Sequence, residues 1–325
     1  LAGSLAITSA HAVEYSMSGD AIIKFASADA PTGTEAQSGK GIGVDTDLAF
    51  TASGELDNGF TVSFFQAADT HGAWSNSSSQ VTIGMGSMGT LQFNNISGAK
   101  ANGIDDVMPA AYNETWDGLA LAADNPTFFG SSTASGSVDY RIPAMEMAGA
   151  TINASVTYDP SADVGAPTAG GVSATSVGGM AYTLEIAHES GLSVGAGQET
   201  IDNGSLLGGD EENVTAYAKF AMGPLTVGYQ EAYQNSANGG QDNEAEFMGI
   251  AYTSGDVSVS YGESSIQGKP TAATANPVER EMDSIQISYT MGAMTIAGAM
   301  GETSNQGGIA GQTYEESEIS VSFAF

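Results

Sequence analysis

The chain has no cysteine and only 7 lysines and arginines against 38 aspartates and glutamates, a formal net charge of −31. Without cysteine there is no disulfide framework, no thiol nucleophile and no Cys-ligated zinc or iron–sulfur centre. The shortage of basic side chains excludes a nucleic-acid binder, because phosphate neutralisation needs clustered Lys and Arg. It equally excludes a polybasic membrane-surface module. No apolar run reaches the roughly 18 residues that a helical membrane span requires. An acidic disordered tail is excluded too, since 41% of the residues are hydrophobic. What is present is a glycine-rich, acidic chain whose apolar residues are dispersed.

Residues 1–12 form a short, uncharged, largely apolar stretch ending in Ala10-His11-Ala12. The A-x-A pattern reads as the C-terminal part of a secretory signal peptide cleaved before Val13. The expectation is therefore an exported protein with one mature unit over 13–325, since no linker divides the rest.

After residue 13 the dominant period is two. Ile285, Ile287, Tyr289 and Met291 share one face and Ser284, Gln286, Ser288 and Thr290 the other. Ile319, Val321, Phe323 and Phe325 oppose Glu318, Ser320, Ser322 and Ala324, and Tyr15, Met17, Ala21, Ile23 and Phe25 oppose a mostly polar set. These are half-apolar strands. Tight Gly, Asn and Asp connectors such as Asp57-Asn58-Gly59, Gly255-Asp256 and Gly292-Ala293 alternate with long polar ones at about 30–45, 69–79, 96–134, 159–177, 201–212, 235–243, 265–281 and 303–314. The count is about 16 strands, an even number with the hairpin asymmetry of outer-membrane barrels.

A soluble sandwich would need large apolar residues on inward faces. Here the second face is Ser, Thr, Gly, Gln, Asn and acids in nearly every strand, which suits a water-filled lumen with lipid on the apolar side. Closure follows, because an open sheet edge in hydrocarbon leaves N–H and C=O groups unpaired. The fold class expected is all-β: a transmembrane antiparallel up-and-down barrel. A large soluble sandwich or a β-solenoid with one wetted side is the alternative.

Four segments carry a family resemblance. Tyr15-Ser16-Met17-Ser18-Gly19-Asp20-Ala21, Val81-Thr82-Ile83-Gly84-Met85-Gly86 through Gly98-Ala99, Asp124-Asn125-Pro126 and the terminal Ser320-Val321-Ser322-Phe323-Ala324-Phe325 resemble a general porin of Gram-negative outer membranes, of the alphaproteobacterial type. The resemblance implies a 16-stranded barrel, usually a homotrimer, with a third loop folded inward as a constriction. It also implies that Phe325, with Phe323, forms a C-terminal signal read by the barrel assembly machinery. Such porins set acids on the constriction loop against Arg and Lys on the facing wall.

The longest connector, about 96–134, is the natural constriction loop. It carries Asp105, Asp106, Glu114, Asp117 and Asp124, with Lys100 as its one base. Strand parity sets Lys24, Arg141 and Lys219 on lumen faces together with Glu14, Asp20, Asp139, Glu185, Glu199, Glu316 and Glu318. The basic half of the family pattern is thin, and acidic rings select cations. Outer acids including Asp202, Asp210, Glu211, Glu212, Asp242, Glu244 and Glu315 offer oxygen ligands to divalent ions such as Ca²⁺. None has a recognised calcium-loop spacing, so no cofactor is expected and the metal question stays open.

Tyr140, Tyr158, Tyr182, Tyr229, Tyr252, Tyr261 and Tyr289 fall on outward faces and suit an interfacial girdle. Trp74 and Trp116 lie in loops. A barrel enzyme would need a base beside a nucleophile. Only His188, next to Glu189 and Ser190, offers one, His71 being in a loop and His11 in the expected leader. The expectation is a non-enzymatic, outer-membrane channel for passive diffusion of small hydrophilic solutes and ions, with cations preferred. The alternatives are a substrate-specific or plugged barrel, adhesin-like or enzymatic.

Overall fold

A computed structural model describes residues 14–30, 38–69, 75–118, 124–130, 136–160, 178–202, 210–236, 240–271 and 276–325. The expected leader, Trp74 and His71 lie outside these. The strands are β1 (Glu14–Asp29), β2 (Gly39–Glu55), β3 (Thr61–Asp69), β4 (Ser75–Gly84), β5 (Thr90–Asn95), β6 (Val138–Arg141), β7 (Met145–Met147), β8 (Ala150–Asp159) and β9 (Gly179–His188). They continue as β10 (Leu192–Ile201), β11 (Glu211–Met222), β12 (Leu225–Asn235), β13 (Asn243–Ser254), β14 (Val257–Gly268), β15 (Arg280–Met291), β16 (Met294–Ser304) and β17 (Thr313–Ala324).

Apart from β6 and β7, which do not pair with each other, each strand pairs antiparallel with its neighbours in sequence, and β1 pairs with β17, so the sheet closes on itself. β6 and β7 both pair with β8. They are one wall position interrupted around Pro143, which has no N–H to give the ladder, so seventeen segments build a sixteen-stranded barrel. Closure at the seam is completed by Phe325, whose N–H donates to the Gly19 carbonyl at 2.8 Å and whose carbonyl accepts from the Gly19 N–H at 3.2 Å.

Tight turns gather at one end and long connectors at the other. Gly255 (φ 59°) and Gly292 (φ 63°) sit in the left-handed region that two-residue hairpins require. Several strands start earlier than the loop signals suggest: β2 opens at Gly39, β4 at Ser75 and β11 at Glu211. In Gly39-Lys40-Gly41-Ile42-Gly43-Val44 the glycines read as a turn, yet they occupy the inward positions of a strand whose outward Ile42 and Val44 keep the alternation.

The outer surface is apolar. Ile285 is 64% exposed, Ile319 59% and Met300 67%, and all seven tyrosines expected outside are exposed there. Burying one such aliphatic side chain is worth about 1.5–3 kcal/mol, so a belt of them around the whole barrel has its place in hydrocarbon. The packed core lies elsewhere. It is the seam between the wall and the segment after β5, which folds into the barrel.

Candidate functional site

The described parts of the segment between β5 and β6, from Ile96 to Ser137, fold into the lumen and pack on its wall. Two apolar clusters fasten it. Ala101, Ile104 and Phe129 pack on Ala181 of β9 and Tyr217 of β11. Further along, Met108, Trp116 and Phe128 pack on Ala232, Ala245, Phe247, Ile266 and Met282 of β12 to β15. Phe247, Ile266 and Met282 face inward and break the polar pattern of their faces just where the loop needs an apolar seat. Trp116 thus packs the loop against the wall.

Between the apolar contacts, buried side-chain amides satisfy the loop backbone, which has no ladder of its own. Gln230 Oε1 accepts the Val107 N–H at 3.0 Å while its Nε2 donates to the carbonyls of Ile104 and Asp105 at 3.0 and 2.8 Å. Gln286 Oε1 accepts from the N–H groups of Tyr112 and Asn113 at 2.9 and 3.0 Å, and Nε2 donates to the Asn113 carbonyl at 2.8 Å. Ser260 Oγ accepts the Ala111 N–H at 2.8 Å. Close approach needs bare wall as well. Gly228 and Gly249 are cross-strand partners, and a Cβ on either would stand 2.9 Å from Pro109 Cδ.

The loop therefore lies against β9 to β15, and the open passage runs past β1 to β3. There a space of about 410 Å³ is lined by Lys24, Asp45 and Asp69 of the wall and by Tyr112, Asn113 and Asp117 of the loop. Asp45, Asp47 and Asp69 carry carboxylate oxygens within 4.8 Å of one another, and Asp20 sits directly across from Asp47. Asp45, Asp47 and Asp69 were not expected to line the lumen. The first two fall in or beside the glycine-rich connector expected at about 30–45 and the third at the edge of the one at about 69–79, although the alternation of Ile42 and Val44 places Asp45 and Asp47 inside.

Acids thus face each other across the passage. The cations of wall and loop do not offset them freely. Lys24 Nζ lies 3.1 Å from Glu318, Lys100 Nζ 3.0 Å from Glu185 and Arg141 Nε 2.6 Å from Asp139. Lys219 holds its ammonium 5.6 Å from the centre of the Tyr217 ring.

Three of the acids expected on the loop or the lumen faces do not line the path. Asp124 is fully buried, accepting the Gly307 N–H at 2.9 Å with Arg280 beside it. It anchors the returning loop to the β16–β17 connector. Asp139 is also fully buried, under the base of the loop, where Thr157 donates to it at 2.7 Å and the Lys100 N–H at 3.3 Å. Glu199 is buried likewise and accepts the Gly130 N–H at 2.9 Å. A buried carboxylate with such partners is a fastening, and it contributes little to a water-filled path.

Asp105, Asp106, Glu114 and Asp117 remain on the loop. Desolvation inside the barrel pushes Asp105 up to about 6. Glu114 is pushed up to about 8 by desolvation and then by the charges of Asp106, Asp105 and Asp117. Asp106 is raised by burial, against the Met108 N–H that its carboxylate accepts at 2.9 Å.

Outside the passage, His188 Nδ1 accepts the Ser190 N–H at 3.1 Å in the tight turn between β9 and β10. It is a turn cap on the surface. Among the described residues, the one group of three carboxylates within metal-ligating reach of each other is Asp45, Asp47 and Asp69, not a set on the external loops.

A search of curated proteins finds no match. The solved structures that resemble the chain share its fold over nearly its whole length. An anion-selective porin from Comamonas acidovorans is 13% identical with a TM-score of 0.68, covering 96% of this chain and 100% of its own. The trimer form of OmpT, an outer membrane protein of Vibrio cholerae, is 10% identical with a TM-score of 0.66, covering 96% and 99%. A triple mutant of the Rh. blastica porin is 16% identical with a TM-score of 0.60, covering 96% and 100%. A family model described as Gram-negative porin matches residues 1–279. The chain belongs to that family, and its barrel is an outer-membrane porin channel.

Proposed function

We propose that this porin conducts small hydrophilic solutes passively and prefers cations, that it works as a homotrimer, and that it reaches the outer membrane through the periplasm. The observation carrying the ion preference is the pairing of acids across the passage, Asp45, Asp47 and Asp69 against Asp117, while Lys24 is tied to Glu318. At physiological ionic strength the Debye length is about 8 Å, so only charges that close to the permeating ion count, and here they are carboxylates on both sides. The Comamonas porin is anion-selective. The shared fold therefore leaves ion preference to the side chains. Trimerisation is supported by the trimer form of the Vibrio cholerae barrel, and export by the A-x-A pattern at Ala10-His11-Ala12. The barrel and its family speak for a channel rather than an enzyme, and no catalytic role is assigned.

The experiment is bilayer recording of a variant with Asp105, Asp106 and Asp117 changed to Asn and Glu114 to Gln. The zero-current potential in a salt gradient moves toward the anion side at low salt while conduction persists. An unmoved potential contradicts the role of these loop acids.

A further inference from the structure

We propose that Tyr112 is the leaf that sets the width of the passage, and that Glu318 holds it open against the barrel wall. The phenol of Tyr112 donates to the Glu318 carboxylate on β17, and Lys24 on β1 grips the same carboxylate oxygen from 3.1 Å. The loop backbone at this point is fastened separately, through the N–H groups of Tyr112 and Asn113 to Gln286. Loss of the phenol–carboxylate bond therefore frees the ring and leaves the loop seated.

The two sides of the loop differ sharply in room. Toward β15 to β17, a crevice lined by Asn113, Thr115, Gln286, Glu316 and Glu318 holds about 20 Å³. That is space for about one water. Toward β1 to β3 lies the passage of about 410 Å³, whose lining includes Tyr112 itself. A released ring has one place to go, which is into the path. Held back, it forms the rim. Lys24 has a second part in this: its charge is spent on Glu318, which keeps the acceptor in position. The wall cation thereby serves the leaf instead of opposing the acids across the passage.

The inference rests on the channel reading, and its test separates the two. Single-channel recording is made on the full chain with Tyr112→Phe, Tyr112→Ala, Glu318→Leu and the double variant Glu318→Leu/Tyr112→Ala. Native barrel formation of each is checked by heat-modifiable gel mobility. Tyr112→Phe keeps the ring and removes the bond, so the time spent in reduced-conductance states rises about tenfold, the population change for losing one hydrogen bond to a charged group. Glu318→Leu removes the acceptor and gives the same flicker from the other partner, and stands alone if the Phe variant fails to fold. Tyr112→Ala removes the leaf, so conductance rises and the trace stays quiet, and the double variant is equally quiet. A Phe or Leu variant as steady as the parent, or an Ala variant with unchanged conductance, overturns the proposal while leaving the channel in place. A parent chain that forms folded barrels but never conducts overturns the channel reading itself.

Discussion

Glu114 shows how far a single residue's environment departs from what its letter suggests. In the sequence it is one acid of five on the loop. In the barrel, desolvation and three neighbouring carboxyls raise it to about 8, and Asp105 reaches about 6. A carboxyl is neutral below its pKa and negative above it, so the charge lining the loop grows as pH climbs through these two values. Cation-over-anion permeability is accordingly expected to rise between pH 5 and pH 9, on the range set by the two values. Glu114→Gln removes the upper part of that rise, as read from zero-current potentials at a series of pH values, and a pH-independent potential contradicts the assignment. The same shift bears on docking. A carboxyl whose pKa is raised in the seated loop favours seating most below its ordinary value of 4.5, and that contribution is lost as pH rises from there through about 8. The parity of single strands made Lys24, Asp20 and Glu318 legible as lumen residues. It could not show that Asp124 and Asp139 are buried, because burial there comes from a loop folding over them. The roles of Gln230 and Gln286 were equally invisible, since an inward Gln reads as ordinary lumen lining until a backbone lies on it.

At the scale of elements, the constriction loop is legible from its length, and its seat was written in places that the alternation rule treats as errors. Phe247, Ile266 and Met282 stand on polar faces, and all three form the cluster under Met108, Trp116 and Phe128. Apolar exceptions on a lumen face are thus a usable signal of docking. The bare pair Gly228 and Gly249 is the complementary signal. Gly249→Val is expected to push Pro109 off the wall at a cost of about 1–3 kcal/mol, the usual penalty of overpacking. Its readout is a loop cut faster by added protease while the barrel stays heat-modifiable, and a loop protected as in the parent contradicts the close packing. The start of β2 at Gly39 is masked in the sequence because Gly39, Gly41 and Gly43 look like a turn. Inside a wide barrel an inward glycine has no core to fill, so its lack of a side chain costs the strand no packing.

For the whole molecule, the strand count, the turn asymmetry and the outward apolar belt were all readable because lipid outside and water inside impose a period of two on each spanning segment. What could not be read is which wall the loop would leave open, and with it the identity of the acids it faces. Closure also gives the last residue a task. Phe325 joins β1 and β17 through two backbone bonds to Gly19, and its exposed ring fits the role of an assembly signal. Deleting it is expected to lower the yield of folded barrel in outer membranes, seen as loss of the heat-modifiable band, while normal insertion contradicts that role.

The central claim is that carboxylates on both faces of the passage, with their nearest lysine already paired, decide what crosses. A bilayer holding the wild-type channel between dilute and concentrated potassium chloride tests it in one reading. The account predicts a zero-current potential of the sign set by potassium crossing faster than chloride, shrinking as both salt concentrations are raised. A potential of the opposite sign would contradict it.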